Sequence, residues 1–260
     1  MTSLPAIFVS HGAPTMILSD APVKGFLAKL GEIAPKPRAI LAVSAHLETD
    51  APAVSTAETP ETIHDFYGFP APLYELRYSA PGAPELAERT AGLLGDAGLG
   101  PVAREGRGLD HGAWVPLMLG YPDADIPVTQ LSVQTALGPD HHVRIGEALR
   151  PLRDEGVLIL ASGSLTHNLR EFRGQAIDAD VPDWVSAFDE WASWAVVEGR
   201  RDDLIAYRSR GPEAIRNHPT EEHLLPLFVA MGAGDPTTPG RHIHKSYTHA
   251  VLAMDAYAFD

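Results

Sequence analysis

Three apolar runs in this chain end at or near a histidine. Ile7-Phe8-Val9-Ser10 runs into His11-Gly12, and Leu41-Ala42-Val43-Ser44-Ala45 runs into His46. Val157-Leu158-Ile159-Leu160-Ala161 is followed after Ser162-Gly163-Ser164-Leu165-Thr166 by His167. A neutral imidazole is a ligand for zinc, copper, nickel and iron(II), and near neutral pH the same ring can take up or release a proton. A lone histidine at a strand end is usually an ordinary buried polar residue. Three delivered to one sheet rim make a metal-site hypothesis. The chain has no cysteine, which excludes disulfides, iron–sulfur clusters and thiolate zinc sites, so any metal must be held by histidine, carboxylate, carbonyl or water.

The candidates among the 12 histidines are His11, His46, His111, His167, His218 and His223. His141, His142, His242, His244 and His249 fall in polar or terminal segments and are read as surface histidines. A three-histidine zinc ion with an activated water would make a hydrolase or lyase. An iron(II) ion with open positions would make an oxygenase. Spacing does not choose between them, and a non-catalytic small-molecule binder remains a third reading.

The elements that must position these residues alternate strand and helix. Parallel strands buried on both faces read as continuous Val/Ile/Leu runs, and ligands of open α/β sheets bind outside the carboxyl ends of the strands. The pattern predicts one α/β domain over residues 1–260, with a mostly parallel central sheet flanked by helices and the metal site at the strands' carboxyl ends. Residues 22–33 have helical spacing and give a βαβ opening. Residues 48–78 are irregular and aromatic, as a pocket wall or lid often is, and Tyr67 and Phe69 could line a ring pocket. Helices are expected over 84–95, 139–153 and 181–197, the last carrying Trp184, Val185, Phe188, Trp191 and Trp194 as a core stripe. Strands are expected over 126–133 and, at the end, 246–259. A helix is expected to start at residues 217–223 with Pro219 in its first turn and to be distorted by Pro226. Glu221 and Glu222 would complement that helix's N-terminus or supply a carboxylate ligand. Asp110 would orient His111 or serve as a turn residue.

Composition narrows the function. There are 34 acidic and 20 basic residues, a formal charge of −14, which argues against nucleic acid and anionic membrane surfaces as partners. No apolar run is long enough to span a bilayer. Residues 1–5 lack the basic-then-apolar pattern of a signal peptide, so a cytoplasmic location is expected. Nothing in the residues chooses between a monomer and a homodimer.

Taken in order, the motifs resemble the class III extradiol ring-opening dioxygenases, in particular the 4,5-DOPA dioxygenase branch. They are Val9-Ser10-His11-Gly12-Ala13-Pro14, Val43-Ser44-Ala45-His46, His64-Asp65-Phe66-Tyr67-Gly68-Phe69-Pro70 and Leu73-Tyr74 with Tyr78 and Pro81-Gly82. Then come Asp110-His111-Gly112-Ala113-Trp114, Ser162-Gly163-Ser164-Leu165-Thr166-His167-Asn168-Leu169, His218-Pro219-Thr220-Glu221-Glu222-His223-Leu224-Leu225-Pro226-Leu227 and Ala253-Met254-Asp255-Ala256-Tyr257. The resemblance implies a non-haem iron(II) oxidoreductase. It would bind a small aromatic diol, incorporate both atoms of O2 and open the ring beside the hydroxyls, giving a semialdehyde. It places His11, His46 and His223 at the metal-ligand positions. His167 falls at an acid/base histidine that becomes a fourth ligand in zinc-bound forms, so a purified sample could carry Zn(II). His111 is a histidine near the substrate. A roughly octahedral ion that must accept a diol and O2 has about three places left for protein, so His167 is expected to act as base or acid in turnover. Leu47 stands where many of the branch have tryptophan, so the substrate need not be DOPA itself.

Overall fold

The computed structural model describes residues 3–260. Met1 and Thr2, within the 1–5 stretch on which the signal-peptide expectation rests, lie outside the described residues. Among the described residues ten strands form: β1 (Ala6–Ser10), β2 (Ala39–Glu48), β3 (Ala53–Ser55), β4 (Ala103–Glu105), β5 (Val128–Val133), β6 (Val157–Gly163), β7 (Arg241–His244), β8 (Tyr247–Thr248), β9 (Leu252–Ala253) and β10 (Ala256–Phe259). Eight of them make one sheet in the order β4-β3-β5-β2-β6-β1-β10-β7. Its centre, β5-β2-β6-β1, is parallel, while β10 and β7 add antiparallel strands at one edge. The expected α/β fold with a mostly parallel sheet is what forms.

The apolar runs explain why. Along each central strand alternate side chains enter opposite cores. Phe8, Leu41, Val43 and Ile159 join one cluster, with helices Gly138–Leu149 and Leu225–Ala233. Ile7, Val9, Ile40, Ala42, Leu158 and Leu160 join the other, with Trp114 and Leu117 of helix His111–Gly120. Both faces are covered, so every residue of β1, β5 and β6 is buried.

Several expectations need correction. Pro226 does not distort a helix; it lies in the first turn of helix Leu225–Ala233, where its missing N–H costs nothing. Residues 218–224 are irregular, preceded by the short helix Ala214–Asn217. The 246–259 segment is not one strand. His249 and Ala250 adopt left-handed backbone (φ 54° and 64°) and turn the chain between β8 and β9 before β10 joins the sheet. In helix Asp183–Val197, Val185 and Phe188 are fully buried, but Trp194 is 49% exposed and lies outside the core. Residues 22–33 make two short helices, Pro22–Leu27 and Leu30–Ile33. No described helix is long and apolar enough to cross a membrane.

Candidate metal centre at the sheet rim

Register puts the histidines together. Val9 of β1 and Ser44 of β2 both stand level with Ser162 of β6, the strand between them. His11 and His46 each lie two residues further on, on either side of β6. The pairing of β2 with β5 is interrupted between Val43 and Glu48, and His46 lies in that interruption, which frees it to turn toward the rim. His223 arrives from above. The carbonyl of His223 accepts from the Ser164 N–H at 2.8 Å, and a Cβ on Gly163 would sit 2.1 Å from that carbonyl. Glycine at the end of β6 therefore admits the crossing. Gly112 has a parallel reason, since a Cβ there would sit 2.4 Å from Ser44 Oγ and 3.0 Å from His46 Cδ2.

The outcome is that His11, His46 and His223 offer ligand atoms all within 4.8 Å of one another. Hydrogen bonds assign the tautomers of His11 and His223. Ser162 Oγ donates to the Gly112 carbonyl at 2.5 Å and so accepts from His11 Nδ1 at 3.0 Å. Glu222 Oε1 accepts from His223 Nδ1 at 2.9 Å. Asp65 Oδ2 lies 3.6 Å from His46 Nδ1. His11 and His223 thus donate through Nδ1 and keep the Nε2 lone pair, and the Nδ1 of His46 faces a carboxylate beyond hydrogen-bond reach. His11 Nε2 and His46 Nε2 are 3.0 Å apart, and the buried Nε2 of His223 has no partner. Converging lone pairs suit a cation. The rings are also held neutral, as metal ligands must be. Burial, then the neighbouring imidazoles, push His11 and His223 well below the ordinary histidine range. Burial and His111 push His46 to about 3, against an opposing pull from Asp65.

The remaining candidates divide. His167 stacks on His223 with ring centroids 3.4 Å apart; its ligand atom groups with those of Glu222 and His223, outside the His11–His46–His223 set. Burial lowers it to about 4. His111 sits 4.0 Å from the ring of His46 and 5.4 Å from that of His11, centroid to centroid. His218 is apart, bonded through Nε2 to the Leu165 carbonyl. His142, read as a surface residue, is fully buried, and both its nitrogens are engaged. His242 is likewise drawn inward, its Nε2 2.6 Å from the buried Asp255.

The acids differ most from expectation. Asp110 does not orient His111. It accepts from Ser44 Oγ at 2.6 Å, from Gln130 Nε2 and from the Ala113 N–H at 3.3 Å, capping helix His111–Gly120. His111 is instead bonded through Nδ1 to Asp65, 46 residues earlier in the chain, and no spacing rule joins the two. Glu222 holds His223, whereas Glu221 accepts from Tyr207 Oη and pairs with Arg208; neither lies in the first turn of a helix. Nor does Tyr67 line a pocket, being 92% exposed. Its neighbour Phe66 faces His111 edge-on at 5.7 Å and packs on Phe69.

Residues 5–259 match the model of the catalytic LigB subunit of aromatic ring-opening dioxygenase. The chain belongs to this family. The membership agrees with its motifs and places it among the extradiol ring-cleaving dioxygenases. Among similar proteins, a 4,5-DOPA dioxygenase extradiol of Beta vulgaris is 47% identical over 257 residues, covering 97% of this chain and 95% of its own. One from Escherichia coli K12 is 41% identical, covering 92% and 88%. The crystal structure of an uncharacterized Escherichia coli K12 protein superposes with a TM-score of 0.82 at 34% identity, covering 99% of this chain and all of that one.

Proposed function

We propose that this LigB-family chain is a non-haem iron(II) enzyme that opens a catechol-type ring, DOPA or a related small aromatic diol, with O2 to give a semialdehyde. The observation that carries the reading is the convergence of one ring nitrogen each from His11, His46 and His223 while every Nδ1 faces an acceptor. His11, His46 and His223 would hold the ion. When bound, iron(II) supplies the open positions and redox capacity that ring cleavage by O2 requires.

The chain's own groups do the rest. His111 donates its Nδ1–H to Asp65, which leaves its Nε2 as the ring nitrogen that would take a proton from a diol hydroxyl. His167, neutral because burial holds it near 4, is a second base that would return a proton as the acid in a later step. Neutral ligands leave the ion's charge uncompensated, which favours a deprotonated diol. Phe66, with Phe69, Tyr74 and Trp114 around it, gives an aromatic substrate an apolar wall beside His111.

The test is anaerobic loading with iron(II), followed by a panel of catechols with oxygen consumption and visible absorption recorded together. Stoichiometric O2 uptake with a yellow product is the expected result. Turnover of a substrate by the zinc form under argon, with no O2 uptake by the iron form, would replace this reading with a zinc hydrolase or lyase.

A further inference from the structure

We propose that Asp65 is a positioning residue that serves two imidazoles at once, fixing the ring of His111 for proton transfer and steadying His46 toward the ion. The inference deepens the metal-site reading and rests on it. Asp65 Oδ1 accepts from the His111 backbone N–H and Oδ2 from its Nδ1, both at 2.9 Å. The same Oδ2 lies 3.6 Å from His46 Nδ1. One carboxylate thus touches the backbone and ring of the base and faces the ring of a candidate ligand, and those rings are 4.0 Å apart.

The position is built. Ile63 N donates to the Leu109 carbonyl and Leu109 N to the Glu61 carbonyl, each at 2.8 Å. Trp114 Nε1 donates to the Ile63 carbonyl at 2.9 Å. The stretch just before Asp65 is therefore clamped to the segment that carries His111, ahead of that residue at Leu109 and beyond it at Trp114. Phe66, the next residue, packs against the His111 ring, so the loop fixes both the partner and one wall of that imidazole. Chemistry demands a carboxylate here. Two N–H groups of His111 donate to its two oxygens and His46 Nδ1 faces one of them, whereas an amide offers only one accepting oxygen. In Asp65→Asn the NH2 group must oppose either the His111 backbone N–H, setting donor against donor, or the His111 Nδ1, turning the ring to the tautomer that protonates Nε2.

The experiment titrates cobalt(II) alone into the metal-free full chain, following its visible absorption, and measures iron-supported turnover separately. Asp65→Asn should weaken cobalt(II) binding about 10- to 100-fold, as loss of a carboxylate behind a ligand histidine does. His111→Ala should leave that affinity unchanged. For turnover at iron(II) concentrations that saturate every variant, Asp65→Asn/His111→Ala should be no slower than His111→Ala, because for proton transfer the two groups act as a unit and are not additive. Wild-type affinity in Asp65→Asn, or a double variant that loses the product of the two single effects, would overturn the proposal. Should Asp65→Asn fail to fold, Asp65→Ser takes its place; loss of the folded state in both, by circular dichroism, would make Asp65 a structural residue and overturn it too. A wild-type chain that takes up no cobalt(II) would instead defeat the metal-site reading itself.

Discussion

His142 and His223 are both buried, and burial depresses both, yet they are opposite kinds of residue. His142 spends its two nitrogens locally. Nδ1 donates to the Gly138 carbonyl in its own helix at 2.7 Å, and Nε2 accepts from Gln134 N–H at 3.1 Å. His223 spends one nitrogen on Glu222 and leaves the other unpartnered toward His11 and His46. Burial and a lowered pKa therefore do not mark a ligand. What sets His223 apart as a proposed ligand is the unspent nitrogen facing others of its kind.

The sharpest way to break that comparison is to exchange the two sites' fates. His223→Ala should abolish metal uptake and turnover while the chain still folds; measurable cobalt(II) binding by the variant would place the ion elsewhere. His167→Ala should retain metal, because three other imidazoles provide the donors, and should lose turnover by about 10²- to 10⁴-fold, the usual worth of a positioned acid or base. Full activity would remove His167 from the chemistry. His142→Ala should leave metal affinity alone and destabilise the protein, by about 1–3 kcal/mol from the unpaired Gln134 N–H before any cavity is counted. Denaturant titration with and without metal separates the two.

Acid should act on both kinds of histidine in the metal-free protein. In the unfolded chain these rings titrate near 6.5, whereas in the fold His142, His167 and His218 are held at about 4 and His46 at about 3, all chiefly by burial. Above 6.5 both states are neutral and stability is at its full value. As pH falls from 6.5 toward 4 the unfolded chain takes up protons that the fold refuses, so stability drops, by about 1.4 kcal/mol per pH unit for each such ring. His142→Ala should flatten that slope by one ring's share. A slope unchanged by the substitution would mean His142 is not neutral in the fold.

The signals for fold and site differed in reach. Continuous apolar runs made β1, β2 and β6 plain, because a strand buried on both faces must be apolar at every position. His11 and His46 followed from them, since each terminates such a run. His223 had no strand to announce it; only its motif marked it, and the helix expected at 217–223 was displaced because the backbone there must cross Gly163. Asp65 stood in a quoted motif, yet nothing linked it to His111. A loop's partners depend on where it is clamped, and those clamps are hydrogen bonds between distant backbones. Asp110 showed the converse hazard: adjacent to His111 in sequence, it turns to Ser44 and Gln130 because it caps the helix that His111 begins.

The residues alone settled the layers, the central strands β1, β2, β5 and β6 and the supply of imidazoles, since apolar length is a local property that survives any arrangement of the rest. Only the tertiary structure decided which nitrogens are spent and which are free. That choice belongs to Ser162, Glu222 and Asp65, side chains brought to each ring by strand register and loop closure, and a hydrogen bond has one acceptor at one distance that no spacing along the chain can specify.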